Sequence, residues 1–105
     1  MKITEAGDGQ TALDIYKQDH VDIVFLDVNM PGLSGIETLH ELRKLNDNAK
    51  VILMTADKSE KIANSVSALN VDCFLYKPFY ATDVNQALHK LFGLRTPELS
   101  LLEAS

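Results

Sequence analysis

The chain has 105 residues, is 46% hydrophobic and carries a formal net charge of −5. That is enough apolar material for one small domain with a core, and the acidic balance excludes the basic face that nucleic-acid binding needs. No apolar run reaches the length of a membrane span and no signal-peptide pattern opens the chain, so a cytoplasmic protein is expected.

Taken in order, Met1 to Ala6 alternates weakly and reads as a short strand. Gly7-Asp8-Gly9 is a turn, with Asp8 placed to cap a helix over Gln10 to Asp19 that buries Ala12, Leu13 and Tyr16. Val21 to Asp27 is an apolar, β-branched run ending in an acid, followed by Met30-Pro31-Gly32. It reads as a buried parallel strand with Asp27 at its carboxyl end, the edge where open α/β sheets bind ligands. A carboxylate there needs a partner or a metal.

The next helix shows one apolar stripe, Ile36, Leu39, Leu42 and Leu45, and Asn46-Asp47-Asn48 ends it. Lys50 to Thr55 is a second buried strand, which delivers a hydroxyl. Lys58 to Leu69 is the weakest helix, with Ile62, Val66 and Leu69 at helical spacing. Val71 to Tyr76 is a third buried strand, delivering the Lys77 ammonium ahead of Pro78. A last helix follows, capped by Thr82 and closed by Gly93, with Val84, Ala87, Leu88, Leu91 and Phe92 on one face. Thr96-Pro97 then looks like a fresh helix start, which makes 94–105 a tail with a short helix around Leu99, Leu101 and Leu102.

The alternation implies an α/β fold, a doubly wound parallel sheet of about four strands and four helices with right-handed crossovers. Adjacent strands lie about 4.8 Å apart. Carboxylate, hydroxyl and ammonium from three strand ends could therefore surround one small anion. That set suits a phosphoryl group carried on an aspartate. Cys73 is the single cysteine and reads as a packed thiol. His20, His40 and His89 lack metal-ligand spacing. Met30 and Met54 read as core or loop fillers.

The motif Leu26-Asp27-Val28-Asn29-Met30-Pro31-Gly32 with Ser34-Gly35, then Thr55-Ala56, then Lys77-Pro78-Phe79, resembles the response-regulator receiver domain of two-component signalling. The resemblance runs from about Ile3 to Phe92 and implies a flavodoxin-like fold, with residues 1–93 as the domain. It implies that a histidine kinase phosphorylates Asp27. Thr55 would be the switch hydroxyl, Ala56 its neighbour at the phosphoryl group, Lys77 the pairing lysine and Phe74 the switch aromatic. The Lys77-Pro78 bond would be cis. Mg²⁺ would take Asp27 and the Asn29 backbone carbonyl. An effector would read the face formed by the Lys58–Leu69 helix and the last helix.

Receivers usually begin with a further strand, ending in an acidic pair, and a helix; here the chain opens at what would be the second strand. Four remedies are conceivable: direct pairing of the Ile3 strand with the Asp27 strand, residues 94–105 in place of the helix, a homodimer, or a chain that is a fragment. Glu5 or Asp8 could stand in for the lost acids only under direct pairing, and otherwise are surface acids. The alternative function is a pseudo-receiver, a phosphorylation-independent interaction or dimerisation module. A phosphatase is disfavoured because Asn29, not an acid, stands two residues beyond Asp27. A flavin or nucleotide site lacks a Gly-rich phosphate loop.

Overall fold

In the computed structural model, residues 2–19, 21–29, 34–56, 60–93 and 100–104 are described. Five parallel strands form one sheet: β1 (Lys2–Ala6), β2 (Ile23–Asp27), β3 (Lys50–Thr55), β4 (Cys73–Tyr76) and β5 (Ser100–Ala104). The helices are α1 (Gly9–Gln18), α2 (Gly35–Leu45), α3 (Glu60–Ser65) and α4 (Ala81–Phe92), with a 3-10 turn at Ser67–Leu69. The strand order is β1-β5-β2-β3-β4.

That order puts the C-terminal strand between β1 and β2. Where the sequence suggests a short helix around Leu99 to Leu102, Ser100–Ala104 is a strand. The reason is the pairing on offer. Two parallel neighbours satisfy its backbone groups, Thr4 opposite Leu102 on one side and Val24 opposite Leu102 on the other. A lone helical turn would leave such groups on β1 and β2 unpaired. The proposed start of that helix, Thr96-Pro97, lies outside the described residues. The sheet therefore has five strands rather than about four. The slot whose vacancy suggested self-association is filled from within the chain, and β1 pairs with β5, not with β2.

Handedness allows this route. The steps β1 to β2, β2 to β3 and β3 to β4 all run toward the β4 edge. Their helices supply Ala12, Leu13, Leu39, Leu42 and Ile62 to one face, against Val24, Leu26, Val51 and Leu53. The step from β4 to β5 runs back the other way. A right-handed crossover then needs its helix on the opposite face. α4 lies there, with Ala87 and Leu88 against Ile23, Phe25, Ile52 and Met54.

Two aspartates pin the starts of the inner strands. Asp22 donates its N–H to the Ser100 carbonyl at 2.8 Å and accepts the Ser100 N–H on Oδ2 at 2.6 Å. Asp72 does the same to Val51, donating to its carbonyl at 3.0 Å and accepting its N–H on Oδ2 at 2.7 Å. Both follow a valine at the head of an apolar run, Val21-Asp22 and Val71-Asp72.

Local signals account for the helices. Asp8 caps α1, its Oδ1 accepting the Thr11 N–H at 2.8 Å. Ser34 and Glu37 form a reciprocal capping box at the head of α2. In the last helix the cap is Tyr80, not Thr82; the Asp83 carboxylate accepts the Tyr80 N–H at 2.8 Å, and helix starts at Ala81. Gly93 closes it at φ 69°. The weak helix is shorter than its apolar spacing implies, giving way after Ser65 to the 3-10 turn. Leu45 belongs to the sequence stripe of α2 but is exposed, while Leu39 and Leu42 are buried and Ile36 packs partly buried against the core.

Candidate phosphoacceptor site

Asp27 ends β2 opposite Met54 and is buried, with 6% of its surface exposed. Its Oδ1 accepts the Asn29 N–H at 2.9 Å, and its Oδ2 is paired with the Lys77 ammonium. Thr55 ends β3 one row further on and is buried. Lys77 donates its backbone N–H to the Thr55 carbonyl at 2.9 Å, which locks the exit of β4 to the end of β3. The Lys77-Pro78 peptide is cis, as the resemblance implies.

The sheet edge thus brings together Asp27, Thr55 and Lys77 from three successive strands. Ala56 follows Thr55 in a bend and is exposed. Phe74 lies on β4, half-buried against the core, and stacks on Tyr76 with ring centroids 6.3 Å apart. Of the motif loop, Met30, Pro31, Gly32 and Leu33 lie outside the described residues.

Two further buried residues hold the elements in place, Gly35 at this corner and Arg43 at the opposite end of the strands. Gly35 starts α2 directly against the end of β2. A Cβ there would stand 2.2 Å from the Asp27 carbonyl oxygen and 2.8 Å from the Val28 Cα. The close approach needs glycine for space, and the sequence signal is a glycine directly after the Ser34 cap. Arg43 is buried on α2. Its guanidinium donates to the carbonyls of Leu69 at 2.6 Å, Ala49 at 2.7 Å, Asn70 at 2.8 Å and Asp47 at 3.2 Å. It ties the turn before β3 to the turn before β4. Its place four residues after Leu39, on the buried stripe, is the signal that could have found it.

Glu5 and Asp8 do not approach as substitute acids. Glu5 is exposed on β1, one strand removed from β2, and the Asp8 carboxylate is used as the α1 cap. Mg²⁺ takes near-octahedral oxygen ligands. Asp27 and the Asn29 carbonyl are the donors assigned by resemblance. On the flank of β2 where further acids would stand, β5 sets Glu103 opposite Phe25 and Ala104 opposite Leu26. Its glutamate therefore falls two residues below the Asp27 row. Among the described residues no three Asp, Glu, His or Cys side chains converge as a metal site. The described residues thus supply fewer oxygen donors than a resident Mg²⁺ takes.

The family model described as the response regulator receiver domain matches residues 1–89. The chain is 36% identical over 89 residues to Protein CcdB of Bacillus subtilis, covering 85% of this chain and 74% of that one. It is 33% identical over 87 residues to the chemotaxis protein CheY of Thermotoga maritima, covering 83% and 72%. Among solved structures, the response regulator TrrA of Thermotoga maritima, in complex with Mg²⁺-BeF, superposes with a TM-score of 0.72 at 34% identity, over 83% of this chain and 74% of that one. The chemotaxis protein CheY4 of Vibrio cholerae superposes with a TM-score of 0.78 at 25% identity over the same shares. The chain belongs to the response regulator receiver domain family. Receivers of this kind are signalling modules of two-component systems, and the flavodoxin-like fold is that of these relatives.

Proposed function

We propose that the chain is a phosphoacceptor module in which a histidine kinase, or a phosphotransfer protein, phosphorylates Asp27. The observation that supports this most is the convergence of Asp27, Thr55 and Lys77 at one sheet edge, with the lysine ammonium on the carboxylate. A scaffold would need none of the three together. In this reading Asp27 is the nucleophile, and the Lys77 ammonium and Thr55 hydroxyl receive the transferred oxygens. Ala56, beside Thr55, leaves room for them. Phosphorylation adds nearly two negative charges at one point. Thr55 moves toward them and Phe74 follows into the space released, a local charge event with a readout at the surface.

The readout surface is the groove beside β4 and α4, lined by Phe74, Tyr76, Phe79, Asp83, Gln86 and Lys90. Exposed Tyr76 and Tyr80 flank it. An effector protein would dock there, and the five-stranded domain, β5 included, would act as the signalling unit. Among the described residues no helix is long and apolar enough to cross a membrane, and the proposed site of action is the cytoplasm.

The test is intact mass after incubation with a phosphorylated histidine donor, beside Asp27→Asn. One phosphoryl group gained by the natural sequence and none by the variant is the expected result. A folded natural sequence that gains none would leave the phosphorylation-independent interaction module as the better reading.

A further inference from the structure

We propose that Tyr76 is a positioning residue for the switch, its ring holding Phe74 in place while Asp27 is unmodified; this deepens the phosphoacceptor reading above and rests on it. Strand period brings the two rings together. Phe74 and Tyr76 lie two residues apart on β4, so their side chains leave the same face of the sheet. The register sets Phe74 opposite Leu53 and Tyr76 opposite Thr55. Tyr76 therefore stands in the row of the proposed switch hydroxyl, one step nearer the site than Phe74.

The rings are parallel, with 10° between their planes and 6.3 Å between their centroids. Phe74 packs half-buried against the core that contains Leu53. Tyr76 is 40% exposed, and β4 is an edge strand, so β3 is the strand neighbour on one side only. The main chain beside Tyr76 is fixed, because the Lys77 N–H donates to the Thr55 carbonyl at 2.9 Å.

To follow Thr55, Phe74 must shift toward the row that Tyr76 occupies, and that shift breaks the stack. An aromatic pair of this kind moves an equilibrium by about twofold to tenfold. Such a bias sets the resting balance and yields to the larger charge change at Asp27. Tyr76 also lines the groove beside β4 and α4. The ring that holds Phe74 is thus one that a docked partner touches. A partner packed on Tyr76 would sense whether Phe74 has moved and, by reciprocity, bias the movement.

The rotamer populations of Phe74 are read by NMR, from the three-bond couplings of its Cγ to the backbone nitrogen and carbonyl carbon. The natural sequence, Tyr76→Phe and Tyr76→Leu are compared, first unmodified and then after incubation with a phosphorylated histidine donor, with intact mass counting phosphoryl groups. The unmodified natural sequence and Tyr76→Phe should share one dominant rotamer. In Tyr76→Leu the balance should shift by about twofold to tenfold, toward the rotamer that the natural sequence adopts when phosphorylated. Unchanged populations in Tyr76→Leu would overturn the inference. So would an equal shift in Tyr76→Phe, which keeps the ring, or a shift away from the phosphorylated rotamer. A natural sequence that gains no phosphoryl group would sink the phosphoacceptor reading, and the unmodified proteins would still decide whether the Tyr76 ring holds Phe74.

Discussion

The two flanks of β2 are built alike and equipped differently. On one side β3 pairs with it in parallel, is pinned at its start by Asp72, and ends in the buried Thr55 beside Asp27. On the other side β5 pairs with it in parallel and is pinned at its start by Asp22. It buries Leu102 and Ala104, and its one acid among the described residues, Glu103, stands level with Phe25, two residues short of Asp27. Backbone pairing and apolar packing fill a place in a sheet with few demands on identity. Site chemistry demands one side-chain type in one row. Over its described residues the β5 flank meets the first requirement, and the β3 flank meets both.

The comparison can be broken most forcefully in the core. Leu53 and Leu102 are both buried, one on each flank, on the same face of the sheet. Leu53→Ala and Leu102→Ala should each cost about 2–5 kcal/mol in urea unfolding. A Leu102→Ala variant as stable as the natural sequence would mean that β5 is not a structural equal of β3.

The paired clamps sharpen the same point at smaller amplitude. Asp22→Ala and Asp72→Ala should each lose about 1–3 kcal/mol, since each leaves a strand-starting N–H without its acceptor. Hydrogen exchange should then quicken on β5 in the first variant and on β3 in the second. Exchange that quickens everywhere in both would show that the flanks do not open separately.

The smallest effect concerns α1, which packs beside β5. The Thr11 backbone N–H, and then its hydroxyl, hold the Asp8 carboxyl below its ordinary value of 3.8. A depressed folded-state value means that its contribution is present above the unfolded value and is lost as pH falls through the folded one. Asn caps as well as Asp but does not titrate. The thermal midpoints of the natural sequence and Asp8→Asn should therefore differ slightly at neutral pH and converge in acid. A gap that persists in acid would assign the difference to something other than this titration.

Most of this architecture was legible from spacing. The apolar runs ending at Asp27, Thr55 and Lys77 bring three chemical groups to one edge because parallel strands share that edge, and the structure unites them. The helix stripes led to the right faces because the 3.6-residue period is local. What was not legible depends on long-range pairing. The run Ser100-Leu101-Leu102-Glu103-Ala104 is too short for period to distinguish helix from strand. Only the open pair of β1 and β2 decides it. Arg43 was opaque for a related reason. Its partners are backbone carbonyls, at Leu69 and Asn70 among others, and carbonyls have no sequence signature. Gly35 was quoted for the motif, whereas its role is the space it leaves beside Asp27.

The position of β5 also bears on the order in which the molecule assembles. The hydrogen bond from Ser100 to Asp22 joins residues 78 apart. The β2-α2-β3 and β3-α3-β4 units can form from neighbouring stretches, each closing a short loop. The middle of the sheet must wait for a segment that comes after every strand it bridges. Long closures of this kind slow folding far more than they weaken the final state. A ribosome therefore releases β1 and β2 well before the strand that joins them, and until it arrives each shows an unpaired edge to its surroundings.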